Sequence, residues 1–304
     1  MLDRLRAPKS ALFKSVIELK TCIAADGVLT PQLEPLIFFV CGASRFCSIS
    51  KKNVPSFRRE DLINFLETNF KNTHPFLAEK VFEKLQEKQK RKNIYDLEKE
   101  LFELSDFVII VLESNSSFCE LGAFSHRIEL RKKLIVINDK KFIDSKSFIN
   151  TGPLDLIMDE DRDEERVLWY KMSNTDYAAD SIGDTYEDLE KLVNGIKGKN
   201  RQKIILNHAS MSKRQMLFLC DLITLCGPIR NKEIIEILKI VFGNHDFINF
   251  TTMLALLETV GLISYDEKEL YYSKVENLFF EYRGLKIASF KSAFRLNALR
   301  ELRL

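Results

Sequence analysis

Two acids flank a short polar turn in SDFVIIVLESNSSFCELGAFSHRIELRKKLIVIND, residues 105–139. Glu113 closes an apolar run, and Glu120 follows the serines that open a helical stretch. Ser117-x-x-Glu120 has the spacing of a capping box, in which the serine satisfies the backbone N–H three residues on and the acid reaches back to the cap. That would be a purely structural use of Glu120. A carboxylate in a first helical turn also lies in the positive end of the helix dipole, which favours its charged form. A positioned carboxylate at a strand-to-helix turn suits a reaction at a sugar C1′, because the transition state there resembles an oxocarbenium cation. Glu113, at the end of the strand, is placed to hold a ribose hydroxyl or to deliver a proton to a leaving base. The spacing therefore admits either a helix cap or a site for breaking a glycosidic bond.

The elements that must position these acids follow from the periodicity. IFFVCGA (37–43) reads as a buried strand ending in a glycine turn, and FRREDLINFLETNF (57–70) has apolar residues at helical spacing. AEKVFEKLQEKQKRK is a charged helix with Glu/Lys pairs, IYDLEKELFEL is a third helix leading into DFVIIVL, and KKLIVIND (132–139) is a further strand. This alternation predicts an α/β domain over residues 1–155 with a mostly parallel sheet flanked by helices. Ligands of such sheets bind beyond the carboxyl ends of the strands, where CGAS and ESNSS both fall. Cys41 and Gly42 become substrate-binding candidates, the glycine because a ribose or phosphate can approach a backbone that has no side chain. Asn150, Gly152 and Pro153 make a rigid polar loop after the last of these strands, either a substrate loop or an ordinary turn.

Beyond Pro153 the texture changes, and residues 156–210 read as a helical linking region with a charge run, MDEDRDEER, and a basic connector, KGKNRQK. Residues 211–304 sharpen again. SKRQMLFLCDLITLCG, NKEIIEILKIVF and NFTTMLALLETVGLI are three helices, and ISYDEKELYYSKV reads as two strands about a tight turn, the pattern of a winged helix-turn-helix. Its recognition-helix candidate, DFINFTTMLALLETVGLI, contains no Lys or Arg. Residues 212–304 carry 13 basic against 11 acidic residues, a difference of +2 that gives little attraction for phosphate. The connector and the amphipathic tail FKSAFRLNALRELRL are better contact surfaces than the wing, and a protein or nucleoprotein partner is favoured over operator reading.

Composition adds exclusions. With 304 residues, 45% hydrophobic and 30% charged, the chain has the makings of about two globular domains, and a net charge of +2 rules out a polyanion binder by bulk charge. The six cysteines (Cys22, Cys41, Cys47, Cys119, Cys220 and Cys226) fall at no metal-ligand spacing, and most lie in apolar runs, as in a reducing cytosol. His74, His126, His208 and His245 form no ligand pattern, so no metal is expected. The single Trp169 is expected in the core. No apolar run reaches the roughly 20 residues that span a bilayer, and no signal peptide is evident, so a soluble cytoplasmic protein without membrane contact is expected.

The segment SDFVIIVLESNSSFCELGAF resembles the nucleoside deoxyribosyltransferase-like pattern: an Asp before a buried strand, a Gly/Ser turn, and the glutamate of an E-[IL]-G motif as glycosyl nucleophile. By position, the resemblance puts Asp106 at the start of the strand, Glu113 at its end, and Glu120 in the nucleophile's place, with Ser117 in the substrate-binding turn. The chain is also similar to effector proteins of retron anti-phage systems, which join such a domain of flavodoxin-like architecture to a C-terminal winged helix. Their ESPGSFxELGAF, RRKLICIxD, SFINxGP and IFLCGG segments match ESNSSFCELGAF, RKKLIVIND, SFINTGP and IFFVCGA. One departure stands out: Asn115-Ser116 replaces Pro-Gly, so the turn lacks the freedom of glycine. The resemblance implies an N-glycosidase toxin that acts on a nucleotide, NAD first, and needs no cofactor. It further implies self-association and inhibition by a reverse transcriptase with its branched DNA–RNA product, msDNA. A nucleotide-sensing regulator without turnover and a deoxyribosyl transferase are the alternatives.

Overall fold

The computed structural model describes residues 1–25, 28–29, 34–44, 57–88, 92–160, 165–173, 176, 179–195, 203–204, 212–243, 245, 247 and 250–302. Two compact units are interleaved along the chain: Pro35–Glu79 with Leu101–Lys199, and Met1–Glu34 with Lys80–Glu100 and Asn200–Leu304.

The first unit is built on five parallel strands, Leu36–Cys41, Thr73–Phe76, Phe107–Val111, Leu134–Asp139 and Val167–Tyr170. Side by side they run second, first, third, fourth, fifth, the strand order of flavodoxin-like sheets. Their near-continuous apolar runs are what a sheet covered on both faces requires. Burial of a single Ile, Val or Phe here contributes roughly 1.5–3 kcal/mol. On one face Phe38, Val40, Ile109, Ile137 and Leu168 pack against Leu62 and Leu66 of the helix Arg58–Asn69 and Leu189 and Val193 of the helix Tyr186–Asn194. Right-handed crossovers then put the helix Asn115–Ser125, which follows the third strand, on the opposite face, where Phe124 meets Phe102 with ring centroids 4.6 Å apart.

In the second unit three helices, Lys213–Cys226, Asn231–Phe242 and Phe250–Thr259, accompany a three-stranded antiparallel sheet of Ile229–Arg230, Leu270–Ser273 and Ile263–Tyr265. The hairpin turn between the last two strands is tied by Asp266, which accepts from the backbone N–H of Lys268 (2.9 Å) and Leu270 (2.8 Å) and from the Tyr272 hydroxyl (2.8 Å). The helix Phe250–Thr259 has little open face: Phe250 and Thr252 to Leu257 are all buried. Residues 80–100 seal it. Thr252 donates to Glu100 (2.7 Å) and accepts from Lys92 (3.2 Å), while Glu258 takes Lys88 at 2.5 Å and Lys84 at 3.4 Å. The helix Ala11–Ala25 and the tail helix Ile287–Leu302 complete the unit, Phe290 and Phe294 of the latter being buried.

These units redraw the expected division at 155 and 210. Val167–Tyr170 pairs with Leu134–Asp139 as the fifth strand, so the sheet unit continues well past Pro153. Residues 1–34 and 80–100 belong instead with the C-terminal helices, because Leu12, Val16, Leu19, Val81 and Leu85 are buried there. The connector at 197–202 lies outside the described residues, as do Cys47 and His208. Among the described residues no helix is long and apolar enough to cross a membrane, and no group of three His, Cys, Asp or Glu side chains is placed to hold a metal ion.

Candidate active site

The strand order reverses between Leu36–Cys41 and Phe107–Val111, and the crevice beyond their carboxyl ends is where a doubly wound sheet takes its ligand. Glu113 stands there. Its Oε1 accepts from the Ala43 N–H (3.1 Å), its Oε2 is ion-paired with Arg58 Nη1, and the side chain is only 3% exposed. Gly42 leaves room for this contact: a Cβ there would lie 3.2 Å from Glu113 Oε1 and 3.1 Å from Arg59 Cγ, tighter than ordinary packing. Cys41 ends its strand as a buried thiol.

Arg58 carries the network inward. Its Nε and Nη2 donate to Asp180 Oδ2 (3.0 and 2.7 Å) and Nη2 also to the Ser173 carbonyl (2.9 Å). Asp180 in turn accepts from the Tyr170 hydroxyl (3.1 Å) and the Ser173 N–H (3.0 Å). Burial alone would lower the Arg58 guanidinium, but hydrogen bonding to Asp180 and the charge of Glu113 outweigh it and hold the group above its ordinary value. Burial pushes the Tyr170 phenol well up, so it serves as a donor. Sequence reasoning missed Arg58, Tyr170 and Asp180. The one available signal was Arg58 at the start of the helix after the first strand; nothing near Asp180 marked it.

The turn differs from the expected one. Ser114, not Ser117, is the N-cap: its hydroxyl accepts from the Ser117 N–H (3.2 Å), while Ser117 Oγ accepts from the Ser114 N–H (3.1 Å) and donates to the Ser114 carbonyl (2.8 Å). The two serines thus form the reciprocal box between themselves. The helix begins at Asn115, so Glu120 sits in its second turn, partly buried, and the first turn holds no acid. The helix dipole therefore acts only weakly on Glu120, since its effect fades beyond the first turn. Asn115 and Ser116 are the first residues of the helix and adopt no left-handed conformation, so the missing glycine costs nothing there. Ser117 is fully buried and occupied by the cap.

Asp106 lies elsewhere. It precedes the five-residue strand that Glu113 follows, at the opposite end of it, and its Oδ2 accepts from the Ile37 N–H at 2.8 Å, pinning the amino ends of two strands. Asn150 and Gly152 fall in a π-helical turn, Asn150–Leu154, against which the helix carrying Glu120 packs. Asn150 Nδ2 donates to the Phe142 carbonyl at 2.6 Å. Trp169 is half-buried rather than in the core: it pairs with Asn138 in the sheet and lines a cleft with Asn150. The structure therefore gathers Gly42 and Glu113 at the crevice and Glu120, Asn150 and Gly152 on the adjoining helical side. His126 is the exposed C-cap of the Glu120 helix.

Known proteins bear on this arrangement. The family described as the STM3845 retron effector protein matches residues 55–265. Two proteins of Escherichia coli align as well, each named a "putative ribosyltransferase/DNA-binding protein". That of retron Ec73 is 35% identical over 298 residues, covering 94% of this chain and 90% of its own. That of retron Ec86 is 42% identical over 99 residues, 33% of this chain and 32% of its own. With a family match over most of its length and a relative aligned nearly end to end, the chain belongs to the STM3845 retron effector family.

Proposed function

We propose that this retron effector is an N-glycosidase with a nucleoside deoxyribosyltransferase-like catalytic unit, in which Glu120 attacks C1′ of a nucleotide. The observation that carries this reading is the division of labour at the turn. Ser114 and Ser117 form the helix cap between themselves, which leaves Glu120 out of it, partly buried in the second turn of the helix that follows the third strand. A Glu120 oxygen bonds to C1′ as the C1′–N bond breaks and its electron pair leaves with the base; water then hydrolyses the glycosyl ester and restores the carboxylate. The names of the Ec73 and Ec86 proteins fit a reaction at a ribose carbon.

Glu113 acts as a positioning residue. Its oxygens are spent on Arg58 and Ala43, which fixes the Cys41–Ala43 turn at the mouth of the crevice instead of protonating a leaving base. A site whose second acid is used this way suits a base that departs without needing a proton. Nicotinamide, joined to ribose as a pyridinium cation, is such a base, and NAD is therefore the leading substrate ahead of other nucleotides.

The three helices and hairpin of the second unit are, on this reading, a winged helix that docks on a reverse transcriptase and its msDNA, which hold the effector inactive. Because its third helix is sealed by residues 80–100 and has no Lys or Arg, docking uses other surfaces of the unit. Self-association completes the proposal. The test is chromatography of NAD and a nucleotide panel after incubation with wild type and with Glu120→Gln, alone and with the reverse transcriptase complex. Base release by wild type only supports the glycosidase; equal release by both forms removes Glu120 from the reaction. Tight nucleotide binding without product in any state points to the sensing regulator, and exchange of an added second base to a transferase.

A further inference from the structure

A cleft of about 310 Å³ opens beside the π-helical turn Asn150–Leu154, walled by Trp169 of the fifth strand and by Leu154 and Met158. Its size admits one planar ring system, at the small end of ligand sites. Two features set it apart from a surface dent. Asn150 is fixed by its Nδ2, which donates to the Phe142 carbonyl at 2.6 Å, while its Oδ1 is buried with no hydrogen-bond partner among the described residues. A buried acceptor left this way costs about 1–3 kcal/mol unless a ligand donor meets it. The neighbouring stretch also keeps Phe142, Ile143 and Phe148 at 44%, 45% and 82% exposure, an apolar rim that water alone does not favour.

We propose that this cleft is the subsite for the base of the nucleotide: a planar nitrogen heteroaromatic with an exocyclic N–H, stacked on Trp169 and donating to Asn150 Oδ1. The inference rests on the glycosidase reading for its substrate. Trp169 lies on the same sheet face as its partner Asn138 and two strands from the strand that leads to Glu113, about 10 Å at the spacing of a sheet. That separation is spanned by a nucleotide. Both a nicotinamide carboxamide and an adenine amino group carry the required donor.

Trp169 is the single tryptophan, so its fluorescence reports the cleft directly and without turnover. Nicotinamide mononucleotide, AMP and ribose 5-phosphate are titrated into full-length Glu120→Gln. Saturable quenching by one or both base-bearing ligands, with none by ribose 5-phosphate, is expected, and the stronger of the two identifies the base. Asn150→Ala should weaken it about tenfold, the size of one hydrogen bond to a buried group. In the wild-type background Trp169→Ala should raise KM with kcat little changed, and Trp169→Phe should restore KM. Quenching absent for every ligand, or equal with ribose 5-phosphate, overturns the subsite. The two readings fail separately: turnover without quenching keeps the glycosidase and removes the subsite, whereas quenching without turnover does the reverse.

Discussion

Replacing Arg58 by Met leaves Glu113 and Asp180, 3% and 1% exposed, without the cation that both of them contact. The methionine fills most of the space of the stem, so packing changes little and the electrostatic loss dominates. Removing one partner of a buried ion pair costs roughly 3–5 kcal/mol, and here one cation serves two carboxylates. For a unit of about 150 residues each kcal/mol lowers Tm by roughly 2–4 °C, so a fall of about 6–20 °C is expected by calorimetry of the full chain. Arg58→Lys should recover only part of it, because an ammonium is a point charge and cannot bridge two carboxylates as a guanidinium fork does. Combining Arg58→Met with Glu113→Gln should cost less than the sum of the two single changes. A Tm change below about 3 °C, or strict additivity in the double variant, would show that the network does not hold the crevice, and the positioning role of Glu113 would go with it.

Other expectations are as direct. Glu120→Gln should lower kcat by roughly three orders of magnitude or more while leaving the free energy of urea unfolding within about 0.5 kcal/mol of wild type, read by turnover and by fluorescence-monitored unfolding. Ser114→Ala should cost about 1 kcal/mol through the lost cap, whereas the same change at Ser116 should cost far less. In the second unit, burial pushes the Asp221 carboxyl up to about 7 against donors from the Phe279 and Phe280 N–H groups and the Tyr282 hydroxyl. The folded chain then retains a proton that the unfolded chain releases near pH 3.9, so stability should fall as pH rises from about 4 to 7 and level off above; a melting series that stays flat over that window contradicts it. Light scattering should give a mass above that of one chain in the active state.

Much of the sheet was legible because its strands are unbroken apolar runs such as FVIIV, which no polar alternation disguises. The turn was harder. S-N-S-S offers several serines at capping distance, and the pattern alone favoured Ser117 with Glu120, whereas the backbone took Ser114 and moved the helix start back. The Arg58–Asp180 contact joins residues 122 apart in the chain, and no local spacing can announce such a pair. The linking region was misjudged for a related reason. Its strand VLWY is only four residues long and follows a dense charge run, so it reads as irregular until the open edge of Leu134–Asp139 is there to pair with it. Trp169 followed the rule that large aromatics are buried, which fails where a strand borders a cleft.

The interleaving of the two units constrains how such a protein can be altered or can have arisen. Residues 80–100 pack in the helical unit, yet in sequence they interrupt the sheet unit between its second and third strands. Joining two finished genes end to end cannot produce that arrangement. It requires the connection inside one unit to have been recruited by the other, after which neither is inherited alone. Truncation at residue 155 or 210 would therefore yield two incomplete fragments, each missing part of its own core. Selection acting on either unit must then act on both.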